Sequence, residues 1–418
     1  MHEKALIPNL FRTEYRKIVS VLCSTFGINH IEIAEDIVSD TFLTATETWS
    51  INGIPENPTA WLYTVAKNKS KNYFKRDSLF QQKISTEIKY SSSDREEFEI
   101  DLSQKNITDS QLAMMFTVCN PSISKESQIS LALNLLCGFG TQEIADAFLI
   151  NKEVVYKRLQ RAKEKLKTEG IKIEQPSVSQ INSNLETVLT TLYLLFSEGY
   201  YSTSQNTILR KDFCFEAIRL TSILVENKMT NTPSANALLS LMYFHSSRFN
   251  ARFNEKGESI LYEEQDDQLW DYDLITKGIE YLNQSASGNF LTKFHLEAAI
   301  AFWHTKKQDS DEKWENILQL YNQLLQIEYS PIAALNRTFA FSKVRGNSAA
   351  IIEAEKLQLT GNPFYFSLLG HLYRDIDDLK AKENFEKALD LSNSSSVSDT
   401  LRRYIDGLAE KLGKINRT

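Results

Sequence analysis

Residues 57–76 have the spacing of a single amphipathic helix that carries a basic face. At about 100° per residue, the apolar side of this helix collects Trp61, Leu62, Val65 and Ala66. Lysines recur every four residues along a second side, at Lys67, Lys71 and Lys75. Between Lys67 and Arg76 there are five basic residues and no acidic one, although the whole chain has a net charge of -7. This local reversal of charge favours a polyanionic partner, and a lysine-rich face that is merely solvated is the equally weighted alternative.

A second basic segment, residues 141–166, has the pattern of two short helices joined by a tight turn. Its second helix has an apolar seam at helical spacing, formed by Val155, Leu159, Ala162 and Leu166. From Lys152 to Lys172 there are eight Lys or Arg residues and three Glu residues. This pattern is typical of a helix-turn-helix whose second helix lies in a DNA major groove, with its cations on phosphates. Helical hairpins with basic flanks also occur in purely structural bundles, so this segment alone leaves both interpretations open.

The length and composition of the chain limit its class. With 418 residues, 42% of them hydrophobic, it can bury more than one core, so two or three domains are expected. The start MHEKALIPNLF lacks the combination of a basic start and a long apolar run that a secretory signal has. No stretch approaches the roughly 20 apolar residues of a membrane span. We therefore expect a cytoplasmic protein without a membrane partner.

Neither the cysteines nor the histidines have the spacing of a metal site. Cys23, Cys119, Cys137 and Cys214 are far apart, and the six His residues form no ligand motif. Asp36 and Asp40 share one helical face, but no His, Ser or Cys nucleophile pattern accompanies them, so they indicate a solvated or partner-binding surface rather than acid–base catalysis. We therefore predict a protein that is not an enzyme and that uses no metal or cofactor.

Residues 8–50 show helical periodicity, and the segment that follows the basic helix does not. Within AEDIVSDTFLTA, the side chains of Ile37, Phe42 and Leu43 are expected to pack inward. Residues 78–108 are polar and include SSSDREEFEID. They are interpreted as a flexible acidic linker.

The C-terminal half contains a repeat of 34 residues. Tetratricopeptide spacing is nearly reproduced by Leu369, Gly370, Tyr373, Ala381, Phe385 and Ala388. The same pattern 34 positions earlier falls on Leu335, Phe339, Ile351 and Ala354. Stacked helix pairs of this kind leave a concave groove for a peptide or a domain, and a helical support that only stiffens the DNA-binding part is the alternative. The acidic residues between positions 263 and 273 are interpreted as a solvated loop rather than a divalent-ion site.

Three ordered segments resemble bacterial RNA polymerase sigma factors of the extracytoplasmic-function group, also called group four. Residues 8–77 resemble sigma region two through the segments AEDIVSDTFLTA and PTAWLYTVAKNKSKNYFKR. Residues 109–168 resemble sigma region four through the segment TQEIADAFLINKEVVYKRLQRAKEKL. The remainder is similar to a subfamily with a long helical extension, through the segments DSQLAMMFTVCNP, LYLLFSEGY, FEAIRL, EEQDDQLW and SPIAALNRTFA. The resemblance covers nearly the whole chain, and three segments in order are more specific than any one of them.

The resemblance implies an all-α fold in three parts. These parts are a sigma region two helical bundle at residues 1–77, a sigma region four helix-turn-helix at 109–172, and a C-terminal tetratricopeptide-like helical repeat domain at 178–418. The flexible acidic linker at 78–108 separates the first two.

The resemblance also implies three binding surfaces. Region two would bind a coiled coil of the largest polymerase subunit through Asp36, Ser39 and Asp40. It would contact the minus-ten element through Asn57, Asn68, Lys71, Asn72, Lys75 and Arg76. Region four would contact the minus-thirty-five element through Lys152, Glu153, Tyr156, Lys157 and Arg161. Among the aromatic residues, Trp61 is expected mainly in the core, and Phe74 is a better candidate for exposure than Tyr73.

The function implied by the resemblance is promoter recognition and strand opening for transcription initiation. The expected partners are core RNA polymerase, promoter DNA and a protein or peptide regulator held by the C-terminal helical domain, which would modulate activity. The alternative is a stand-alone helix-turn-helix regulator or a helical-repeat scaffold that acts without polymerase. A stand-alone reader normally needs dimer symmetry to gain enough contacts, and two separated basic segments of unlike type favour the sigma factor.

Overall fold

The structure is a computed structural model that describes residues 3–84, 100–148, 150–201, 207–252, 260, 262–392 and 395–415. These residues form helices and contain no β-strand, which confirms the predicted all-α fold. None of the helices in the described ranges has both the length and the apolar character needed to cross a bilayer. The chain divides into two compact units, Met1–Thr230 and Asn231–Thr418.

The first unit contains α1 (Glu3–Phe26), α2 (Ile31–Asn52), α3 (Pro58–Ile84), α4 (Gln104–Val118), α5 (Lys125–Leu131), α6 (Thr141–Phe148), α7 (Lys152–Thr168), α8 (Val178–Tyr201) and α9 (Thr207–Glu226). A π-helical turn, Ala132–Leu136, continues α5. Helices α3 and α4 occupy both ends of the predicted 78–108 linker, since α3 runs to Ile84 and α4 begins at Gln104. The linker prediction for 85–99 falls outside the described residues.

Helix α1 lies at the centre of the first unit. It packs against α2, α3 and α4, and its middle residues Ile18, Val19, Val21 and Leu22 are fully buried. Helices α8 and α9 pack against each other and against α4. The first unit therefore ends at Thr230, inside the 178–418 segment that the sequence predicts as one domain.

The connection between α2 and α3 fixes where α3 begins. Gly53 has φ 80°, a conformation that side chains with a Cβ rarely adopt, and its N–H donates to the carbonyl of Trp49 at 3.1 Å. The side-chain oxygen of Asn57 accepts a hydrogen bond from the N–H of Ala60 at 3.0 Å, and Pro58 is the first helical residue. Both features are typical of helix starts.

The second unit contains α10 (Pro233–Ser246), α11 (Tyr272–Ser285), α12 (Lys293–Trp303), α13 (Asp311–Ile327), α14 (Pro331–Arg345), α15 (Asn347–Leu357), α16 (Pro363–Tyr373), α17 (Asp378–Leu391) and α18 (Ser395–Ile415). From α12 onward each helix packs against the next. The 34-residue spacing identified mainly core positions. Buried residues of the pattern are Leu335, Ile351, Ala354, Leu369, Gly370, Ala381, Phe385 and Ala388, whereas Phe339 and Tyr373 are only partly buried. The assignment to a tetratricopeptide-like repeat stays a prediction.

The acidic segment between residues 263 and 273 caps helical turns. The carboxylate of Asp271 accepts a hydrogen bond from the N–H of Leu274 at 3.0 Å, and that of Asp266 accepts one from the N–H of Gln268 at 2.9 Å. Glu263 pairs with Lys343 at 2.6 Å. Within the described ranges there is no group of three or more His, Cys, Asp or Glu side chains that could hold a metal ion.

Candidate nucleic-acid and polymerase interface

Helix α3 is anchored along one side by small and apolar residues at intervals of four. Leu62, Ala66 and Ser70 are fully buried, and the Ser70 hydroxyl donates to the carbonyl of Ala66 at 2.8 Å. The hydroxyl of Tyr63 donates to the carboxylate of Glu14 in α1 at 2.6 Å. These contacts fix the rotation of α3 about its own axis, and therefore determine which side chains face outward.

The aromatic residues of α3 mainly contribute to packing. The Trp61 ring meets the Trp49 ring edge to face, with centroids 5.3 Å apart, so the expected core role of Trp61 is supported. The expectation that Phe74 would be the more exposed of its pair is wrong. Its ring stacks on Phe26 with centroids 3.7 Å apart, because residue 74 continues the buried side of α3, whereas Tyr73 is exposed.

The outward face of α3 carries most of the predicted minus-ten residues. Asn68, Lys71, Asn72 and Lys75 are exposed and follow the i, i+3, i+4, i+7 spacing of one helix face. Asn57 is exposed at the helix start, where its amide oxygen is used in capping. Arg76 belongs to α3, but its side chain lies outside the described residues. Contacts of these residues with DNA stay a prediction.

Helix α7 presents the predicted minus-thirty-five residues to solvent. Its start is capped by Asn151, whose side-chain oxygen accepts from the N–H of Glu153 at 2.9 Å. The predicted seam of Val155, Leu159, Ala162 and Leu166 is buried. On the opposite side of α7, the exposed side chains are those of Lys152, Glu153, Tyr156, Lys157 and Arg161. Tyr156 is 60% exposed, which is a large apolar area to leave in water on a packed helix.

Arg158 belongs to the packed side of α7. Its side chain is half-buried, and its guanidinium lies 3.5 Å from the hydroxyl of Ser130 in α5. In the sequence, Arg158 falls between the apolar seam of this helix and its outward face, a position that suits either a structural or a phosphate-binding role. The contact with Ser130 supports the structural one.

Helix α2 carries an exposed acidic-apolar stripe. The predicted polymerase-binding residues Asp36, Ser39 and Asp40 are exposed, and Lys69 of α3 forms an ion pair with Asp40. Leu43 is 56% exposed, so the expectation that it packs inward is wrong. Positions 36, 39, 40 and 43 lie on one helix face, and the inward positions are filled instead by Ile37, Val38 and Phe42.

Two ion pairs that the sequence did not suggest join α7 to α2. The ammonium of Lys163 lies 2.6 Å from the carboxylate of Glu35, and that of Lys167 lies 2.6 Å from Glu32. The first pair is shielded, with side chains 11% and 17% exposed. Burial raises the pKa of Glu35 and Lys163 opposes this rise. Partial burial also acts to raise the pKa of Glu32, but a hydrogen bond from Lys167, a backbone hydrogen bond and the charges of Lys167 and Lys163 together outweigh it, so the net pKa of Glu32 is lowered.

A second set of unpredicted ion pairs joins α1 to α9. Arg12 pairs with Asp212, and its guanidinium also lies 3.3 Å from Glu143 in α6. Arg16, whose side chain is 7% exposed, pairs with Glu216. Burial and the nearby charge of Arg219 lower the pKa of Arg16, and Glu216 opposes this. Burial raises the pKa of Asp212, and Arg12 opposes this rise.

Arg219 of α9 extends this network toward α4 and α5. Its Nε donates to Glu216 at 2.9 Å. Its terminal nitrogens donate to the carbonyl of Leu136 at 2.8 Å and to the side-chain oxygen of Gln111 at 3.3 Å. A short stretch of α9 therefore contacts both the N-terminal helices and the helices around α4. The partners are far apart in sequence, so spacing gives no signal for them.

Comparison with known proteins gives two family matches and one extensive relative. Residues 10–79 match the family described as Sigma-70 region 2, and residues 184–286 match the Family of unknown function (DUF6596). The chain is 30% identical over 385 residues to an uncharacterized protein of Rhizobium meliloti (strain 1021), covering 91% of each chain. No solved structure matches the chain.

Proposed function

We propose that this chain, which belongs to the same family as the Rhizobium meliloti protein and contains a Sigma-70 region 2, is an RNA polymerase sigma factor of the extracytoplasmic-function type. It directs core polymerase to promoters and aids strand opening, and its own C-terminal helical domain modulates this activity. One observation carries the proposal. The Sigma-70 region 2 match covers residues 10–79, and within it α3 turns an amide- and lysine-bearing face to solvent.

Recognition of the minus-ten element is assigned to the outward face of α3. Opening a duplex requires groups that hold unstacked bases, and the amides of Asn68 and Asn72 offer both donors and acceptors for base edges. Lys71 lies between them and can neutralise a phosphate. Tyr73 is 36% exposed beside this row and can stack on a base. The buried side of α3 holds these groups in place before DNA arrives.

Recognition of the minus-thirty-five element is assigned to α6 and α7 as a helix-turn-helix within a region four at 109–172. The exposed residues at the start of α7 can reach base edges, and cations further along can reach phosphates. Core polymerase binding is assigned to the α2 stripe. Leu43 supplies apolar area, and Asp36, Ser39 and Asp40 surround it with polar groups, as is common at protein interfaces.

The proposal is tested by mixing the full chain with core RNA polymerase, isolating the complex and measuring promoter-dependent transcription in vitro. We expect Asp36→Lys to weaken polymerase binding at least about tenfold, because reversing a charge at a complementary interface replaces an attraction by a like-charge contact that costs several kcal/mol. The matched control is Asp390→Lys, which reverses an exposed aspartate on α17 of the second unit. Folded protein that neither binds polymerase nor supports transcription would refute the proposal. Operator binding by a dimer without polymerase would favour the stand-alone regulator instead.

A further inference from the structure

A cleft of about 460 Å³ lies within the second unit, between the α16–α17 turn and α18, and we call it the α18 cleft. It is lined by Arg374 from the turn and by Arg403 and Lys411 from α18, and all three side chains are exposed. Its apolar surface comes from Leu408, which is buried, and Tyr404, which is half-buried. Because the cleft is open to solvent, it suits side chains that a partner presents rather than a fully enclosed small molecule.

The two arginines of the α18 cleft have no acidic partner. The guanidinium of Arg374 lies 5.6 Å from the centroid of the Tyr404 ring, and that of Arg403 donates to the hydroxyl of Thr400 at 3.3 Å. Among the residues that the structure describes, no carboxylate lies within ion-pair distance of either guanidinium. A guanidinium has five donors in a planar fork, so both arginines keep donors for an incoming carboxylate.

The acidic side chains near the cleft are used elsewhere or lie too far away. The ammonium of Lys411 lies 2.7 Å from the carboxylate of Asp375 and 2.6 Å from that of Asp378, which commits both aspartates to the lysine. Glu263 and Glu264 act electrostatically on this region but form no ion pair with either arginine. Three cationic and two acidic side chains line the cleft, which leaves an excess of positive charge.

The turn that carries Arg374 is held in place by α17 and α18. Asp375 has φ 63°, a left-handed conformation that few side chains adopt and that aspartate tolerates better than most. Its N–H donates to the carboxylate of Asp378 at 3.0 Å, and its own carboxylate pairs with Lys411. These contacts fix the backbone next to Arg374 before any partner binds, which lowers the entropic cost of binding.

A glycine leaves space in the middle of the cleft. Gly407 of α18 is exposed and lines the cleft, and a Cβ built on it would meet no side chain and no neighbouring helix within 4 Å. Leu408 follows directly in the sequence and supplies apolar surface to the same cleft. An apolar side chain of a partner therefore has room beside the two arginines.

We propose that the α18 cleft binds an acidic peptide segment of a partner protein, with carboxylates on Arg374 and Arg403 and an apolar side chain over Gly407 and Leu408. Charge complementarity selects the acidic segment, and the forked guanidinium groups favour carboxylates through paired hydrogen bonds. The inference rests on the proposed function for the role of this partner, which is the regulator that modulates transcription. The binding itself requires no polymerase.

The first test selects peptides from a phage-displayed library of random short peptides on the immobilised full chain. We expect the recovered peptides to be enriched in Asp or Glu next to an apolar residue. The affinity of a recovered peptide is then measured by fluorescence anisotropy without polymerase. Recovery of peptides without such enrichment, or of none, would overturn the proposal. Displacement of the peptide by inorganic phosphate at an equal concentration would instead identify a simple anion site and overturn the peptide assignment.

Adjacent arginines of α18 provide a matched pair of variants. Arg403→Glu should weaken binding of the recovered peptide at least about tenfold, because it places a carboxylate against the acidic groups of the peptide. The control is Arg402→Glu, since Arg402 is also exposed but pairs with Asp399 at 2.9 Å and does not line the cleft. This control should bind as the parent does. Equal loss of binding in both variants would show that the peptide does not lie in the cleft.

Filling the cleft gives a second test that leaves its charges unchanged. Gly407→Leu should weaken peptide binding about tenfold, because the new side chain occupies the space that the apolar group of the peptide needs. Gly407→Ala adds one methyl group and should change the affinity less than about twofold. Helix dichroism checks that both variants are folded. Unchanged affinity in Gly407→Leu would contradict the proposed position of the peptide.

Transcription with core polymerase tests the role of the partner separately. Saturating peptide should change promoter-dependent transcription by the parent and leave that by Arg403→Glu unchanged. An equal response of the two proteins would overturn the regulatory role. If the peptide binds the parent selectively but the chain never binds polymerase, the sigma-factor assignment fails and the cleft assignment is upheld. If the chain transcribes but no acidic peptide binds, only the cleft assignment fails.

Discussion

At the scale of single residues, four of the five lysines of α7 fall into two groups. Lys152 and Lys157 are exposed on the side that carries Tyr156 and Arg161. Lys163 and Lys167 are committed to carboxylates of α2. The eight basic residues counted from Lys152 to Lys172 are therefore not one DNA-binding patch. Charge in the sequence identifies a basic segment, and the partner of each ammonium decides what that charge can do.

Replacing Lys157 by Ala should remove one phosphate contact. We expect the slope of log affinity against log salt for holoenzyme on promoter DNA to become shallower by about 1, with little change in sequence preference. The measurement is promoter binding across a salt series. Lys165→Ala is the matched control, since Lys165 is also exposed on α7 but pairs with Glu169 at 3.7 Å. An equal change of slope in both variants would show that the salt dependence does not depend on which side of α7 the lysine occupies.

Two partly buried histidines should make the second unit sensitive to acid. Burial, followed by nearby Arg248 and Lys313, lowers the pKa of His304 to about 3, and burial beside Arg374 lowers that of His371 to about 4. In the unfolded chain a histidine has a pKa near 6.5, so below that pH the unfolded chain binds protons that the folded chain does not bind. The free energy of unfolding therefore falls as the pH falls. Each histidine removes up to about 1.4 kcal/mol per pH unit between about pH 6 and its folded pKa.

Calorimetric melting of the full chain between pH 7.5 and 5 measures this sensitivity. Replacing His304 by Phe should flatten the pH dependence, because the ring still packs between Tyr262 and Trp314 but cannot titrate. An unchanged slope in that variant would mean that His304 titrates normally in the folded protein.

At the scale of elements, close contacts between neighbouring helices depend on single small residues. Gly370 of α16 faces the Phe385 ring of α17, and that ring stacks on Tyr404 of α18 with centroids 5.3 Å apart. Three consecutive helices therefore meet at one aromatic ring. Gly278 of α11 plays a similar part against Phe244 of α10, where a built Cβ would lie 2.6 Å from the ring.

Gly370→Ala should destabilise the second unit. A methyl group there would lie 2.7 Å from Phe385, and overpacking of this kind costs about 1–3 kcal/mol. The matched control is Gly407→Ala in α18, where a Cβ would meet no side chain and no neighbouring helix within 4 Å. That change should stabilise by about 0.5–1 kcal/mol through helix propensity. Denaturant unfolding measures the free energy of unfolding of both variants. If Gly407→Ala also lowers it, crowding against Phe385 is not what destabilises Gly370→Ala.

At the scale of the whole molecule, the boundary between units does not coincide with the boundary between motifs. Helices α8 and α9 start the segment that resembles the C-terminal extension, yet they are packed into the first unit. Leu192 and Leu195 are fully buried, and the hydroxyl of Thr191 bonds to Gln128 of α5 at 2.8 Å. The DUF6596 match at 184–286 covers α8 to α11 and so includes helices from both units.

Truncation should therefore have different effects at two positions. A chain of residues 1–230 retains the whole first unit and should fold cooperatively. A chain of residues 1–177 lacks α8 and α9, and each large apolar side chain that loses its cover costs about 1.5–3 kcal/mol. We expect the shorter chain to have a much lower free energy of unfolding and to aggregate more readily. Equal stability of the two chains by denaturant unfolding would contradict this packing.

The sequence alone determined the helical class, the basic segments and a set of packed positions at helical spacing. Helical class follows from local periodicity, and the seam of α7 and the 34-residue spacing follow from the same 3.6-residue period. For that reason Val155, Leu159, Phe385 and Ala388 were placed correctly in the core. The Sigma-70 region 2 match at residues 10–79 agrees with the resemblance of residues 8–77 to sigma region two.

Only the tertiary structure decided which charged side chains form ion pairs and which side of each helix faces solvent. A one-residue shift moves a side chain 100° around a helix, which is why the exposure of Leu43 and the packing of Phe74 were assigned wrongly. Lys163 and Glu35 are 128 residues apart in sequence, and Arg16 and Glu216 are also distant. No local pattern relates such partners, because their meeting depends on how complete helices pack.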